Sequence, residues 1–270
     1  MKKTNSDKDI DRNVRLHNKI ASKYASRHAE IYNDFEQERL KNPLSSASKL
    51  VKRDTTKLLA ADIGCGAGNL STHLLDIGMN VDACDVSDKF LSIVSGKFKE
   101  RGLNTILLNG KNLDVLSSNR YDFVATYSVL HHIPNYLHAI QEMARICAVG
   151  GCVYIDHEHT DEYWNGDQSY EEFTKNISTI DWGKYLIIGN YIGKLKRIFN
   201  PKYSTEGDIH VWPDDHIEWN RIDSIFLDAG MELVVSDDYL LFKGGYDKDI
   251  YNKYKDVCTD MRCRVYRKLG

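Results

Sequence analysis

The 270-residue chain predicts an α/β fold, an open and mostly parallel sheet with helices on both faces. Three observations carry that expectation. Short apolar runs that suit buried strands alternate with stretches of helical periodicity between residues 57 and 156. The first run empties into a glycine-rich turn, Asp62-Ile63-Gly64-Cys65-Gly66-Ala67-Gly68. Two further strand-like runs lie near the end, after an interval in which the alternation stops.

Taken in order, residues 11–41 read as a helical lead-in of mixed charge. Ile20, Tyr24, His28, Ile31 and Phe35 recur at steps of three and four, a stripe suited to cover another surface. Leu58 to Ile63 is the first buried strand, and further strands fall at Asn80–Cys84, Thr105–Leu108, Asp122–Tyr127 and Cys152–Ile155. Helices are expected between them at Asn69–Ile77, Asp88–Arg101 and Tyr136–Cys147, joined by right-handed crossovers. After Asp156 the alternation stops for a segment rich in aromatic and charged residues. Pro213-Asp214-Asp215 then opens a helix that Gly230 ends. Two last strands, near Glu232–Ser236 and Tyr239–Lys243, are expected to form a hairpin about Asp237-Asp238, with a terminal helix over 248–268. The division expected is an N-terminal helical lid (1–53), a core (54–156), an insertion over the acceptor side (157–213) and the end of the core (214–270).

Composition sets bounds on partners. The apolar share of 42% and charged share of 28% are those of an ordinary globular chain. A net charge of -3 supplies no whole-molecule attraction to nucleic acid, so nucleic acid is not the expected partner. The N-terminus lacks the apolar region of a signal peptide, and no run approaches the roughly 18 apolar residues of a membrane span. The six cysteines show no C-x-x-C spacing, and Cys65, Cys84 and Cys152 sit in or beside apolar runs. That pattern reads as reduced, buried thiols in a cytoplasmic protein, with no metal site.

The glycine turn carries the chemistry. Free N–H groups point outward where a strand feeds a tight turn into a helix, which suits an anion or a dipole. A dinucleotide site wants its third glycine three residues after the second. Here that place is Asn69, the third glycine is Gly68, and Asp62 precedes the first by two. A carboxylate there repels a pyrophosphate but suits a cationic ligand end.

With these residues the sequence resembles the class I, Rossmann-like methyltransferases that use S-adenosylmethionine (SAM), in their small-molecule branch. Their acidic-x-G-x-G-x-G motif matches Asp62, Gly64, Gly66 and Gly68, with Cys65 inside the turn. Their acid at the end of strand two, which grips the ribose hydroxyls, matches Asp85, followed by Val86. Their adenine-contacting position falls on Asn109-Gly110, a departure from the usual acid, although an amide oxygen also accepts from an amino group. Tyr121 to Ile133 resembles their strand-four motif, where Tyr127 meets the methionine moiety and Leu130-His131-His132 follows. Val149-Gly150-Gly151 resembles their Pro-Gly-Gly turn with valine for proline. The match runs in unbroken order over roughly 57–156.

The resemblance implies a seven-stranded sheet with SAM across the ends of strands one, two and four, and S-adenosylhomocysteine as product. Tyr24 matches a lid tyrosine that closes over the methionine end, though it also suits a core aromatic on an amphipathic helix. His131 and His132 are the candidate bases, since an imidazole near neutrality can take an acceptor's proton. The competing reading is a turn that merely caps and packs. His210 and Trp212 are candidates for the acceptor pocket, because insertions diversify a fixed sheet. Ile187, Tyr191, Leu195 and Ile198, with Lys194, Lys196 and Arg197 beside them, suit a packed lid helix or peripheral membrane contact.

The expected acceptor is an O or N atom of a small molecule such as a sugar, lipid precursor or secondary metabolite. Methylation of tRNA or protein, and SAM binding without catalysis, stay open beside it.

Overall fold

The strand runs read from the sequence pair into one sheet. β1 (Leu59–Ile63) lies between β2 (Asn80–Asp85) and β4 (Tyr121–Tyr127). β3 (Leu103–Leu107) extends the sheet beyond β2, and β5 (Cys147–His159) extends it beyond β4, every pairing parallel. β7 (Met261–Lys268) then pairs antiparallel with β5, and β6 (Met231–Tyr239) antiparallel with β7, for the order β3-β2-β1-β4-β5-β7-β6. The structure, a computed structural model, describes residues 30–177 and 216–270, with Ile10, Arg12, Val14, Arg15, residues 17–19, Ala21 and His28 before them.

Each central strand is buried on both faces because successive side chains alternate between two apolar layers. On β4, Phe123 and Ala125 join one core with Leu40 and Leu44 of α1 (Asp34–Ser48), Leu70 and Leu74 of α2 (Asn69–Asp76) and Val94 of α3 (Asp88–Lys97). Tyr121 and Val124 face the other, with Ile140 and Met143 of α4 (Tyr136–Ile146) and Trp219, Ile222 and Phe226 of α7 (Trp219–Asp228). Local caps start the helices. The Asn33 side chain accepts the Glu36 N–H at the head of α1, and the Ser87 hydroxyl accepts the Phe90 N–H at the head of α3. After β5 come α5 (Asp161–Asn165) and α6 (Gln168–Ile177), the latter packing through Phe173 and Ile177 on α8 (Lys248–Tyr254).

Two expectations are corrected at the end of the chain. β6 runs straight through Asp237-Asp238, so the hairpin placed there does not exist. The partner of β6 is Met261–Lys268, inside the stretch read as a terminal helix; only Lys248–Tyr254 of that stretch is helical. Charge hid the strand. Met261-Arg-Cys-Arg-Val-Tyr-Arg-Lys carries so many cations that its two-residue alternation is masked. The sheet accepts them because carboxylates meet them. Arg262 donates to Asp238 at 2.6 and 2.7 Å, Arg264 pairs with Asp223 and Arg267 with Glu232. At the other end Ile10, Arg12, Val14, Arg15 and residues 17–19 are helical, as the lead-in suggested, and a separate helix runs from Asp34 to Ser48, beyond the expected limit of residue 41. The helix before β6 begins at Trp219 rather than at Pro213, which lies outside the described residues.

Candidate functional site

A cavity of about 430 Å3 opens at the carboxyl ends of β1, β2 and β4, where parallel α/β sheets bind ligands. The turn from β1 to α2 forms its floor. Gly64 and Cys65 donate their N–H groups to the Cys84 carbonyl, which ties the turn to β2. Gly64 sits at φ 75°, and a Cβ there would lie 2.6 Å from both Cγ atoms of Val129, so glycine is required by conformation and by space. Val129 reaches it from the turn after β4, where Ser128 also has a left-handed φ of 57°.

Two buried carboxylates face this floor. Asp85 at the end of β2 accepts the Gly66 N–H at 2.9 Å on one oxygen and the Ser87 N–H at 2.8 Å on the other. Each oxygen keeps a second lone pair. Burial raises its proton affinity against those backbone donors. Asp62 at the end of β1 accepts the Ser71 hydroxyl at 2.5 Å. Burial, opposed by that hydrogen bond and reinforced by the Asp85 charge, pushes its carboxyl up to about 7.

Above them, Ile31 and Tyr32 come from the loop before α1, and Tyr127 from the end of β4. Tyr32 Oη and Asn69 Nδ2 are buried with no hydrogen-bond partner among the described residues, and both residues line the cavity. A buried polar atom left so is costly and calls for a reason.

The structure brings Asp62, Gly64, Cys65, Gly66, Asp85, Val86, Gly110, Tyr127 and His132 to this one cavity. It does not bring Asn109. That side chain is exposed, and its amide oxygen accepts the N–H groups of Lys111 and Asn112 at 2.7 and 3.0 Å, closing its own turn. The wall there is made instead by Leu108, Gly110, Lys111, Asn112 and Leu113. Cys65 is a buried thiol whose proton affinity burial raises well above the ordinary value, which suits a filler rather than a nucleophile.

The two adjacent histidines part company. His132 lines the cavity, whereas the His131 Nδ1 lies 2.7 Å from Glu158 and the residue is not in the lining. Glu158 also accepts the Val129 and Leu130 N–H groups, so it ties down the turn that carries both rings. Burial raises its carboxyl, but His131 and the two N–H groups outweigh burial and hold it below the usual range. Tyr24, His210 and Trp212 lie outside the described residues, as does the run from Ile187 to Ile198. Among the described residues no helix is long and apolar enough to cross a membrane.

Sequence reasoning missed Tyr32, Asn69 and Glu158. For Asn69 a signal existed, its place where a dinucleotide motif has glycine; Tyr32 and Glu158 are located by packing alone.

Known proteins resemble this part of the chain in sequence and in fold. A family model described as a methyltransferase domain matches residues 61–155, which run from β1 to β5. A ubiquinone biosynthesis O-methyltransferase of Nitrosomonas europaea is 33% identical over 97 residues, 35% of this chain and 41% of that protein. A demethylmenaquinone methyltransferase of Bacillus pumilus is 29% identical over 161 residues, 55% of this chain and 68% of that one. The chain thus spans about two fifths of the length of the first of these relatives. The crystal structure of an S-adenosylmethionine dependent methyltransferase from Mesorhizobium loti shares the fold at a TM-score of 0.53 and 14% identity, covering 85% of this chain and 98% of that one.

Proposed function

We propose that the chain, whose residues 61–155 match a methyltransferase domain, is a SAM-dependent methyltransferase that transfers a methyl group from SAM to an oxygen or nitrogen of a small molecule. The observation that carries this reading is the convergence in one cavity of two buried carboxylates, a glycine turn and two donors with no partner among the described residues. That set fits SAM group by group. The Asp85 oxygens, each with a lone pair left, suit two vicinal ribose hydroxyls. Asp62 suits the ammonium, and Tyr32 Oη and Asn69 Nδ2 suit the carboxylate of the same amino-acid end. Val86, Phe90, Leu108 and Leu113 offer an apolar slot for a flat base.

SAM, when bound, supplies a methyl group on a positively charged sulfur. The protein's part is to hold and orient. Positioning two reactants in a dry site contributes on the order of 7–11 kcal/mol to such a displacement. Ile31, Tyr127, Val129 and Ile133 line the cavity with apolar surface, which disfavours water beside the bound reactants. A hydroxyl acceptor must lose its proton, and His132, which lines the cavity, is the member of the pair we assign as base. His131 and Glu158 would hold its turn in place. A neutral amine needs no base. The names of the relatives, a ubiquinone biosynthesis O-methyltransferase of Nitrosomonas europaea and a demethylmenaquinone methyltransferase of Bacillus pumilus, support a small-molecule acceptor.

Calorimetric titration with SAM and with S-adenosylhomocysteine tests the reading. Micromolar binding of both, lost in Asp85→Ala, is the expected result. Protein that binds neither, or Asp85→Ala protein that binds as well as the parent, sinks it.

A further inference from the structure

Beside the cavity, at the first turn of α1, the protein buries a group of charges that the reaction does not use. Glu36 and Arg39 stand one turn apart on α1. The Arg39 guanidinium donates to both Glu36 oxygens, at 2.8 and 2.6 Å, and to Asp156 at 2.8 Å. Asp156, wholly buried on β5, also accepts the hydroxyls of Tyr154 at 2.5 Å and Tyr239 at 3.0 Å. The ring of Tyr239 lies under the guanidinium at 3.7 Å. Glu36 accepts the Tyr127 hydroxyl at 2.7 Å, and His157 Nδ1 stands 3.5 Å from the same carboxylate.

The backbone is bent to make this group. The β5–β7 register slips between Ile155 and Glu158, and His157 sits there at a left-handed φ of 65°. In a regular strand, consecutive side chains face opposite sides. The bulge brings both Asp156 and His157 to the same partners, as bulges beside functional sites do.

Such a group is a poor choice for stability alone. Apolar side chains of the same volume hold a helix on a sheet as well or better, because buried ions must first shed water. What it fixes is direction, and its one member that lines the cavity is Tyr127. The same stretch of chain adjoins the two donors that have no partner among the described residues. Tyr32 lies just before the Asn33 cap, and Gln37, the residue after Glu36, donates to the Asn69 amide oxygen at 2.9 Å and to the Ile31 carbonyl at 2.8 Å.

We propose that Glu36, locked by Arg39, Asp156 and His157, is a positioning residue for the amino-acid end of SAM. It fixes Tyr127 and seats the start of α1, so that Tyr32 and Asn69 present their donors to that end. The inference rests on the cavity being the SAM site and says which chain elements make it selective for the amino-acid portion.

The test compares S-adenosylhomocysteine with 5′-methylthioadenosine, which keeps the nucleoside and sulfur but lacks the amino-acid end. In Glu36→Gln, a change of charge without change of shape, S-adenosylhomocysteine is expected to bind about tenfold or more weakly while methylthioadenosine changes less than about twofold, since a lost charged hydrogen bond costs at least a tenfold factor. Adding Tyr127→Phe to Glu36→Gln is expected to cost little more, because the two act as one unit. Equal weakening of both ligands marks a merely structural role and overturns the proposal, as does unchanged binding of S-adenosylhomocysteine. Should Glu36→Gln not fold, Tyr127→Phe alone removes the same hydrogen bond and is read by the same ratio. Parent protein that binds neither ligand overturns the SAM reading itself, a different outcome from parent protein that binds both and a variant that does not discriminate.

Discussion

On the proposed assignment of Asp62 to the ammonium of SAM, cofactor affinity is expected to depend on pH. The Asp62 carboxyl is 1% exposed and is pushed up to about 7 by burial, from an ordinary 3.8. In the ligand-free protein at pH 6 it therefore holds a proton, which it must give up to receive an ammonium. Below the pKa each pH unit weakens the apparent affinity about tenfold, so S-adenosylhomocysteine should bind roughly tenfold more weakly at pH 6 than at pH 8. Calorimetry at pH 6 in buffers of differing ionisation enthalpy should register release of about one proton per ligand bound, and at pH 8 close to none. Methylthioadenosine, with no ammonium, should show neither effect. Asp62→Asn should bind weakly at both pH values, with the dependence gone. The sign for stability follows the same proton. Because the folded pKa is raised, the folded state holds more protons than the unfolded one between about pH 4 and 7. The ligand-free protein then loses stability as pH rises through that window. Asp85, also raised, adds in the same direction. Equal affinity at pH 6 and 8, with no proton released, would refute the assignment of Asp62 to the ammonium.

Two further outcomes are expected. Gly64→Ala meets both a left-handed φ and Val129 at 2.6 Å. Strain of about 1–2 kcal/mol plus overpacking of about 1–3 kcal/mol should lower the melting temperature by roughly 4–9 °C. Val129→Ala in the same chain should return only the overpacking share; full recovery would show that φ costs nothing here. Tyr32→Phe removes a buried hydroxyl that has no partner among the described residues, so melting of the ligand-free protein should hold or rise while S-adenosylhomocysteine binding weakens about five- to tenfold. A variant that loses stability and keeps its affinity would show that the hydroxyl serves the fold instead.

The parallel half of the sheet was legible because its strands are buried on both faces. Runs such as Leu59–Ile63 and Tyr121–Tyr127 contain little that competes with the strand reading, and glycines mark where they end. The spacing of Asp62, the glycine turn and Asp85 follows from one strand–helix–strand unit, so local sequence suffices to bring them together. β7 was illegible because each of its arginines is neutralised by a carboxylate distant in sequence: Asp223, Glu232 or Asp238. Asn109 shows the limit of a motif position. The order of elements locates it beside the cavity, but its side chain answers to its own turn. Glu36, Asp156 and His157 gave no signal, since what unites them is a bulge and a helix that meet only after folding.

The place of β7 between β5 and β6 bears on how the protein is made. Among the described residues every other strand of the sheet precedes it in sequence, so a nascent chain reaching only residue 260 holds β5 with a bare edge and β6 without its partner. Until Met261–Lys268 emerges, the antiparallel side of the sheet cannot zip up, and that edge is open to pairing with another chain. A chain cut before Met261 therefore keeps both edges open, and its aggregation should exceed that of the parent.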